Sequence, residues 1–230
     1  MKNFSRTKIL ALTIVLVIPA VFYGIFEWKK HQTGFRLHEL PMMSLTSMPV
    51  FSFLTHNGDT LHRSELRGKI VIADCIFTRC PGICKDLTSQ MSRVEDYFTS
   101  NTNFRSDFNL LSFTVDPAVD TVAALAAYAK EKGVKTDKWK FLTGEKDSLY
   151  NFIVNFLKLP ALEVAESLDE PFAHSERMVL IDKEGFIRGY YDGTDTTTVN
   201  LLMRDAALLD VHYAIQEGKE KKLQKRKKNE

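Results

Sequence analysis

The chain opens on an apolar run. Ile9 to Phe26 holds no charged residue, with Lys2, Arg6 and Lys8 before it and Trp28, Lys29 and Lys30 after it. A helix over these 18 residues is about 27 Å long at ~1.5 Å per residue, enough to span a bilayer core. The stronger, earlier positive charge lies at the amino end. It predicts residues 1–8 in the cytoplasm, a transmembrane anchor at 9–26, and export of everything beyond. A cleaved signal peptide is the rival reading, but the best cut, after Ala20, puts Ile18 where a small residue is wanted. The short stretch ahead of the span leaves no room for an ordinary mitochondrial presequence. The expected setting is therefore a bacterial cytoplasmic membrane, crossed once, with the C-terminal domain on the extracytoplasmic side.

Residues 27–47 read as a linker. After it the pattern alternates between strand and helix periods. Phe51–Leu54 and Thr60–His62 flank Asn57-Gly58-Asp59, a hairpin turn signal. Ser64–Lys69 reads as a short helical turn ended by Gly68. The apolar run Ile70–Phe77 predicts a buried strand, followed by a helix from about Pro81 to Tyr97, since proline suits a first helical turn. Phe108–Val115 is a second strand. Asp120-Thr121 caps a helix that turns Leu125 and Tyr128 inward. A short strand at Trp139–Leu142, a helix over Lys146–Leu157 and an irregular insertion from Pro160 to Phe172 come next. Met178–Ile181 and Phe186–Tyr191 form a last hairpin, and Thr196-Thr197-Thr198 caps a helix reaching about Glu217. This order predicts an α/β domain over 48–217: a sheet covered by helices on both faces, with some antiparallel edges.

Composition changes the picture in one place. Lys219 to Glu230 holds seven basic and two acidic residues, leaving 24 basic against 27 acidic in the rest of the chain. The body is therefore not a basic nucleic-acid binder, and 218–230 reads as a basic, disordered tail. Three cysteines are too few for a disulfide scaffold. Cys75, inside the first buried strand, reads as a small hydrophobe. Met42, Met43 and Met48 read as packing residues, although thioethers can hold copper(I).

Candidate chemistry centres on Cys80-Pro81-Gly82-Ile83-Cys84, between a strand end and a helix start. That is where an α/β fold places a site. A helix amino terminus and Arg79 both favour an anionic thiolate at Cys80. Two sulfurs four residues apart can grip a soft metal ion or join as a disulfide. Three intervening residues, with Lys85 after Cys84, do not fit the haem-attachment spacing, and thioredoxin redox motifs also use two. Among the six histidines, His31 and His38 fall in the linker, His56 and His62 flank the first hairpin turn, and His212 lies in the last helix. His174 ends an irregular segment directly before a strand and is the candidate third ligand. Two thiolates and an imidazole suit copper(I), or copper(II) with a further weak ligand; structural zinc wants four protein ligands.

Three blocks resemble the Sco/SenC copper chaperones: Phe77-Thr78-Arg79-Cys80-Pro81-Gly82-Ile83-Cys84; Thr114-Val115-Asp116-Pro117-Ala118-Val119-Asp120-Thr121; and His174-Ser175 with Leu180-Ile181-Asp182 and Gly185. The resemblance runs from about Met48 to Glu217. It implies a thioredoxin-like fold with an inserted β-hairpin and one copper ion held by Cys80, Cys84 and His174. It also implies delivery of copper to the binuclear centre of cytochrome c oxidase, or maintenance of that centre's cysteines in reduced form. Asp116 matches an acidic residue near the family's site. Ala173 departs from the aspartate often found before the histidine, and Lys85 from the proline often found after the second cysteine. Copper binding by cysteines in an oxidising compartment implies a thiol reductant as a second partner. The alternative is an extracytoplasmic thiol-disulfide oxidoreductase in which Cys80 attacks, Cys84 resolves and His174 tunes the thiols. A peroxidase fits poorly, because Thr78 stands two residues before Cys80 where peroxiredoxins place threonine three before.

Overall fold

The computed structural model describes residues 17–19, 21–23, 43, 46–80, 82–101, 104, 107–163 and 172–228. The chain divides into two units, Met1–Glu39 and Leu40–Glu230. In the first, residues 17–19 and 21–23 are helical and exposed. The rest of the expected span at 9–26 lies outside the described residues, as does most of the linker. No helix among the described residues is long and apolar enough to cross a membrane.

The second unit is built on a seven-stranded sheet. Its strands are β1 (Ser52–Thr55), β2 (Thr60–His62), β3 (Ile70–Ile76), β4 (Phe108–Thr114), β5 (Trp139–Thr143), β8 (Arg177–Ile181) and β9 (Ile187–Asp192), ordered β2-β1-β5-β4-β3-β8-β9. β3, β4 and β5 run parallel; a hairpin closes each side antiparallel, β1 on β5 and β8 on β3. Every residue of β3 and β4 is buried, which matches their unbroken apolar runs and the central place of parallel strands. Gly58 and Gly68 hold positive φ angles of 88° and 75°, where a side chain would be strained, and so end β1 and the short turn Arg63–Leu66 as expected.

Helices α1 (Cys84–Ser100) and α2 (Val122–Glu131) are the crossovers from β3 to β4 and from β4 to β5. Both crossovers step the same way along the sheet, so a common hand puts both helices on one face. The contacts agree. The Thr88 and Tyr128 hydroxyls meet at 3.0 Å, the Tyr128 ring meets Phe141 edge-on, and the Trp139 indole N–H donates to Ser112 Oγ. Phe113, the next residue of β4, points to the opposite face, where it stacks on Phe152 and meets Phe53. Phe152 lies in a wider helical turn, Asn151–Phe156, that continues α3 (Lys146–Tyr150). Helices therefore cover both faces.

Three local expectations change. The insertion, irregular by its residue pattern although the resemblance implies an inserted β-hairpin, carries two antiparallel strands, β6 (Ala161–Glu163) with β7 (Phe172–His174). The last helix, α4 (Thr196–Lys228), is capped by Asp195, whose carboxylate accepts from the Thr197 and Thr198 N–H groups. That helix also runs through the tail expected to be disordered. Lysine, glutamate, glutamine and leucine are all strong helix formers, and basic side chains at a carboxyl end complement the helix dipole.

Candidate functional site

β3 delivers the chain at the carboxyl edge of the parallel strands, and Phe77-Thr78-Arg79 turns it toward α1. The Cys80 N–H donates to the Phe77 carbonyl at 3.2 Å, and the Lys85 N–H to the Gly82 carbonyl at 3.1 Å. Helix α1 begins at Cys84, three residues later than the sequence suggests, so the two cysteines do not share its first turn. Instead Cys80 stands ahead of the helix, and the Cys84 N–H donates to Cys80 Sγ at 3.5 Å. The sulfur thus satisfies one of the helix's first N–H groups. No disulfide joins any of Cys75, Cys80 and Cys84. Cys84 is 1% exposed and Cys80 7%, so both are buried and Cys80 is the less enclosed residue. Cys75 is wholly buried, as a core hydrophobe should be.

Two carboxylates brace this turn. Asp120 is 1% exposed. It accepts from the Thr78 N–H at 3.2 Å, the Thr78 hydroxyl at 2.5 Å and the Thr114 hydroxyl at 2.5 Å. It therefore ties the cysteine turn to the end of β4. The sequence reading made Asp120 part of a helix cap, but Thr121 alone does the capping, accepting from the Ala124 N–H. The only sequence signal for Asp120 was its place in the second family block. Asp116 takes the Arg79 guanidinium at 2.8 Å. The expected acidic neighbour is thus present, engaged with the residue directly before Cys80.

A third carboxylate was not anticipated. Asp74 interrupts the apolar run of β3 and is completely buried. Neither of its oxygens has a hydrogen-bond partner of ordinary geometry among the described residues. Its register partner on β4, Ser112, accepts the Trp139 indole N–H and pulls the Asp74 pKa down somewhat. Burial wins and pushes the Asp74 carboxyl up to about 7. Burial also pushes the Cys84 thiol up, and the charges of Cys80 and Asp74 act in the same direction. Cys75 and Tyr128 are raised by burial too, with Asp74 adding to both. The cysteine pair therefore sits over a region that disfavours negative charge at Cys84.

His174 is the last residue of β7, paired in register with Ala161. The chain then enters β8, which runs antiparallel to β3 with Val179 opposite Ala73. It thus enters at the sheet end where β3 delivers Cys80. Gly193 secures this corner. Its N–H donates to the Glu176 carbonyl at 2.8 Å, and a Cβ there would lie 2.2 Å from the Leu87 side chain of α1. Of the other described histidines, His56 Nδ1 accepts from the Phe141 N–H, His212 meets Gln216, and His62 is exposed with its backbone N–H donating to Glu65. Met48 is buried against the body, as a packing residue should be. Among the described residues, no cluster of three or more histidine, cysteine or acidic side chains is poised to hold a metal.

With this geometry in hand, the comparisons with known proteins are specific. Residues 44–205 match the SCO1/SenC family model, and the chain belongs to that family. It is 26% identical over 156 residues to the SCO1 protein homolog of Bacillus subtilis (strain 168), covering 67% of this chain and 78% of that one. Among solved structures it is similar to a SCO1/SenC family lipoprotein from Bacillus anthracis, with TM-score 0.64, 24% identity and coverage of 71% of this chain and 94% of that one. BsSco, described as having a disulfide switch and as a member of the Sco family of cytochrome c oxidase assembly proteins, gives 0.60 at 23% identity, covering 71% and 93%. Arabidopsis thaliana ScoI, solved with copper bound, gives 0.59 at 23%, covering 73% and 99%. These likenesses establish the expected mixed α/β, thioredoxin-like fold.

Proposed function

We propose that this protein is a membrane-anchored copper metallochaperone. Its cargo is one copper ion held by Cys80, Cys84 and His174. It delivers that ion to the binuclear copper centre of cytochrome c oxidase, or keeps that centre's cysteines reduced. The observation that carries the reading is the pair of cysteines, not joined by a disulfide, placed at a strand end with the Cys84 N–H on Cys80 Sγ. Two soft sulfur donors side by side suit copper(I) and leave room for an incoming thiolate or imidazole to displace them in turn. The chain path from β7 into β8 supports His174 as the third ligand. Asp116 acts one step away, by holding Arg79. The copper-bound Arabidopsis relative and the oxidase-assembly family of BsSco support the cargo and the partner. The apolar run at 9–26, with basic residues before it, supports a bacterial inner-membrane anchor and an extracytoplasmic domain.

One observation favours a thiol-disulfide activity on the same residues: Cys80 is the less enclosed of the two, and burial holds Cys84 protonated. In that chemistry the Cys80 thiolate attacks a sulfur of the target disulfide and expels one target thiolate. Cys84, losing its proton, then attacks Cys80 and expels the second. The target gains two electrons, the pair becomes a disulfide, and an external thiol must reduce it again.

An anaerobic copper titration of the fully reduced chain separates the readings. One copper per chain, with sulfur-to-copper(II) absorption bands lost in Cys80→Ser, Cys84→Ser and His174→Ala, is the expected result. Unchanged copper binding in His174→Ala would refute the ligand set. No stable copper together with fast disulfide exchange would leave only the second activity.

A further inference from the structure

Helix α4 changes character along its length. Its inward side chains are buried as far as Tyr213, and its last ties to the body are the Tyr213 hydroxyl on Glu184 and Lys183 on Glu217. Beyond Glu217, among the described residues, no side chain of the helix makes a hydrogen bond or ion pair, and every residue from 218 to 228 is exposed. Seven of the ten residues 219–228 are basic. The opposite, solvent-facing stripe matters equally. Val211 and Ile215 are four apart and 47% and 43% exposed; on the same side the next turns carry Lys219, Lys222 and Arg226, and Leu223 stands at the margin, about 80° round the helix from Ile215. One helix side therefore starts apolar and becomes basic, with a leucine at its edge.

We propose that this outer side of α4, from Val211 to Arg226, docks on an anionic lipid surface. The chemistry that selects this partner is on the helix itself. Val211, Ile215 and Leu223 are the apolar groups an interfacial helix sinks below the headgroups, and the basic side chains around them meet lipid phosphates. Val211 and Ile215 lie side by side and exposed directly ahead of the basic cluster. A protein partner with an acidic groove would satisfy the charge, but a bilayer also receives the apolar stripe without requiring a shaped pocket. The docking rests on the membrane setting proposed above, yet it uses none of the copper-site residues.

Hydrogen exchange on the full chain mixed with vesicles tests this directly. The probes are vesicles of phosphatidylcholine alone and of phosphatidylcholine with about one-third phosphatidylglycerol. The expected result is amide exchange across residues 214–228 slowed by at least about tenfold with the anionic vesicles, since each basic residue at such a surface contributes roughly fivefold. The slowing is expected to vanish in 0.5 M salt and in the joint variant Lys219→Gln, Lys222→Gln, Lys225→Gln, Arg226→Gln. These residues are exposed, so the body should keep its exchange pattern in that variant. Equal exchange in both vesicles overturns the proposal, whether the helix stays solvated in both or is protected in both by a second copy. Flotation in both vesicle types reports the N-terminal anchor separately, so failure of the anchor and failure of the docking are told apart.

Discussion

Asp74 precedes the cysteine turn within β3 and Asp120 grips that turn from beyond β4, and both are shut off from solvent. Their surroundings differ in everything else. Asp120 gathers a backbone N–H and two hydroxyls and binds the cysteine turn to β4. Asp74, inside β3, gathers nothing of ordinary hydrogen-bond geometry. A carboxyl group in a protein interior is costly when alone and stabilising when it is met by donors. The first carboxylate is a brace. The second is a burden on stability, kept at the foot of the cysteine pair.

The largest expected effect tests the burden. The Asp74 carboxyl sits at about 7 in the fold against an ordinary value of 3.8. Between those values the folded chain keeps a proton that the unfolded chain releases. Stability contributed by this group is thus full at acid pH and falls as pH rises through that window, by about 4 kcal/mol in total. Asp74→Asn should remove the fall. Urea unfolding at pH 4.5 and pH 8 reads it, and equal slopes in both proteins would sink the assignment. The brace comes next. Asp120→Asn should cost about 3 kcal/mol, since it weakens charge-assisted bonds to three donors, two of them hydroxyls. It should also speed amide exchange at Thr78. A cost under about 1 kcal/mol would mean that the turn holds itself. The smallest effect concerns the outer pair. Arg79 is largely solvent-exposed, so Arg79→Gln should cost less than about 1 kcal/mol. A larger loss would show that Asp116 and Arg79 brace the turn as Asp120 does.

This contrast also marks how far the sequence can be read. β3 and β4 were legible because fully buried parallel strands write themselves as unbroken apolar runs, and the first hairpin because Asn57-Gly58 permits the positive φ that the turn requires. Cys80 and Cys84 were legible from their spacing and their place between strand and helix. The roles of Asp74 and Asp120 were not. Asp120 acts through Thr78, 42 residues away, and no local pattern reports a bond of that reach. Asp74 looks like an error in a strand until its neighbours are known. The start of α1 lies three residues beyond the point that proline's preference for a first turn suggests: the helix begins at Cys84, whose N–H is taken by the Cys80 sulfur. The tail was misread because its charge was weighed above its helix propensity.

The arrangement of strands sets an order of assembly. β3, α1 and β4 follow one another directly along the chain, and the bond from Thr78 to Asp120 closes soon after β4 ends. β1 must instead wait for β5, and β3 must wait for β8, each over a far longer stretch of chain. Closing long loops is slow, so the central β-α-β unit should form before either edge of the sheet. A half-finished chain would then already hold its two thiols side by side, and would meet any oxidant in its compartment before its edge strands had closed around it.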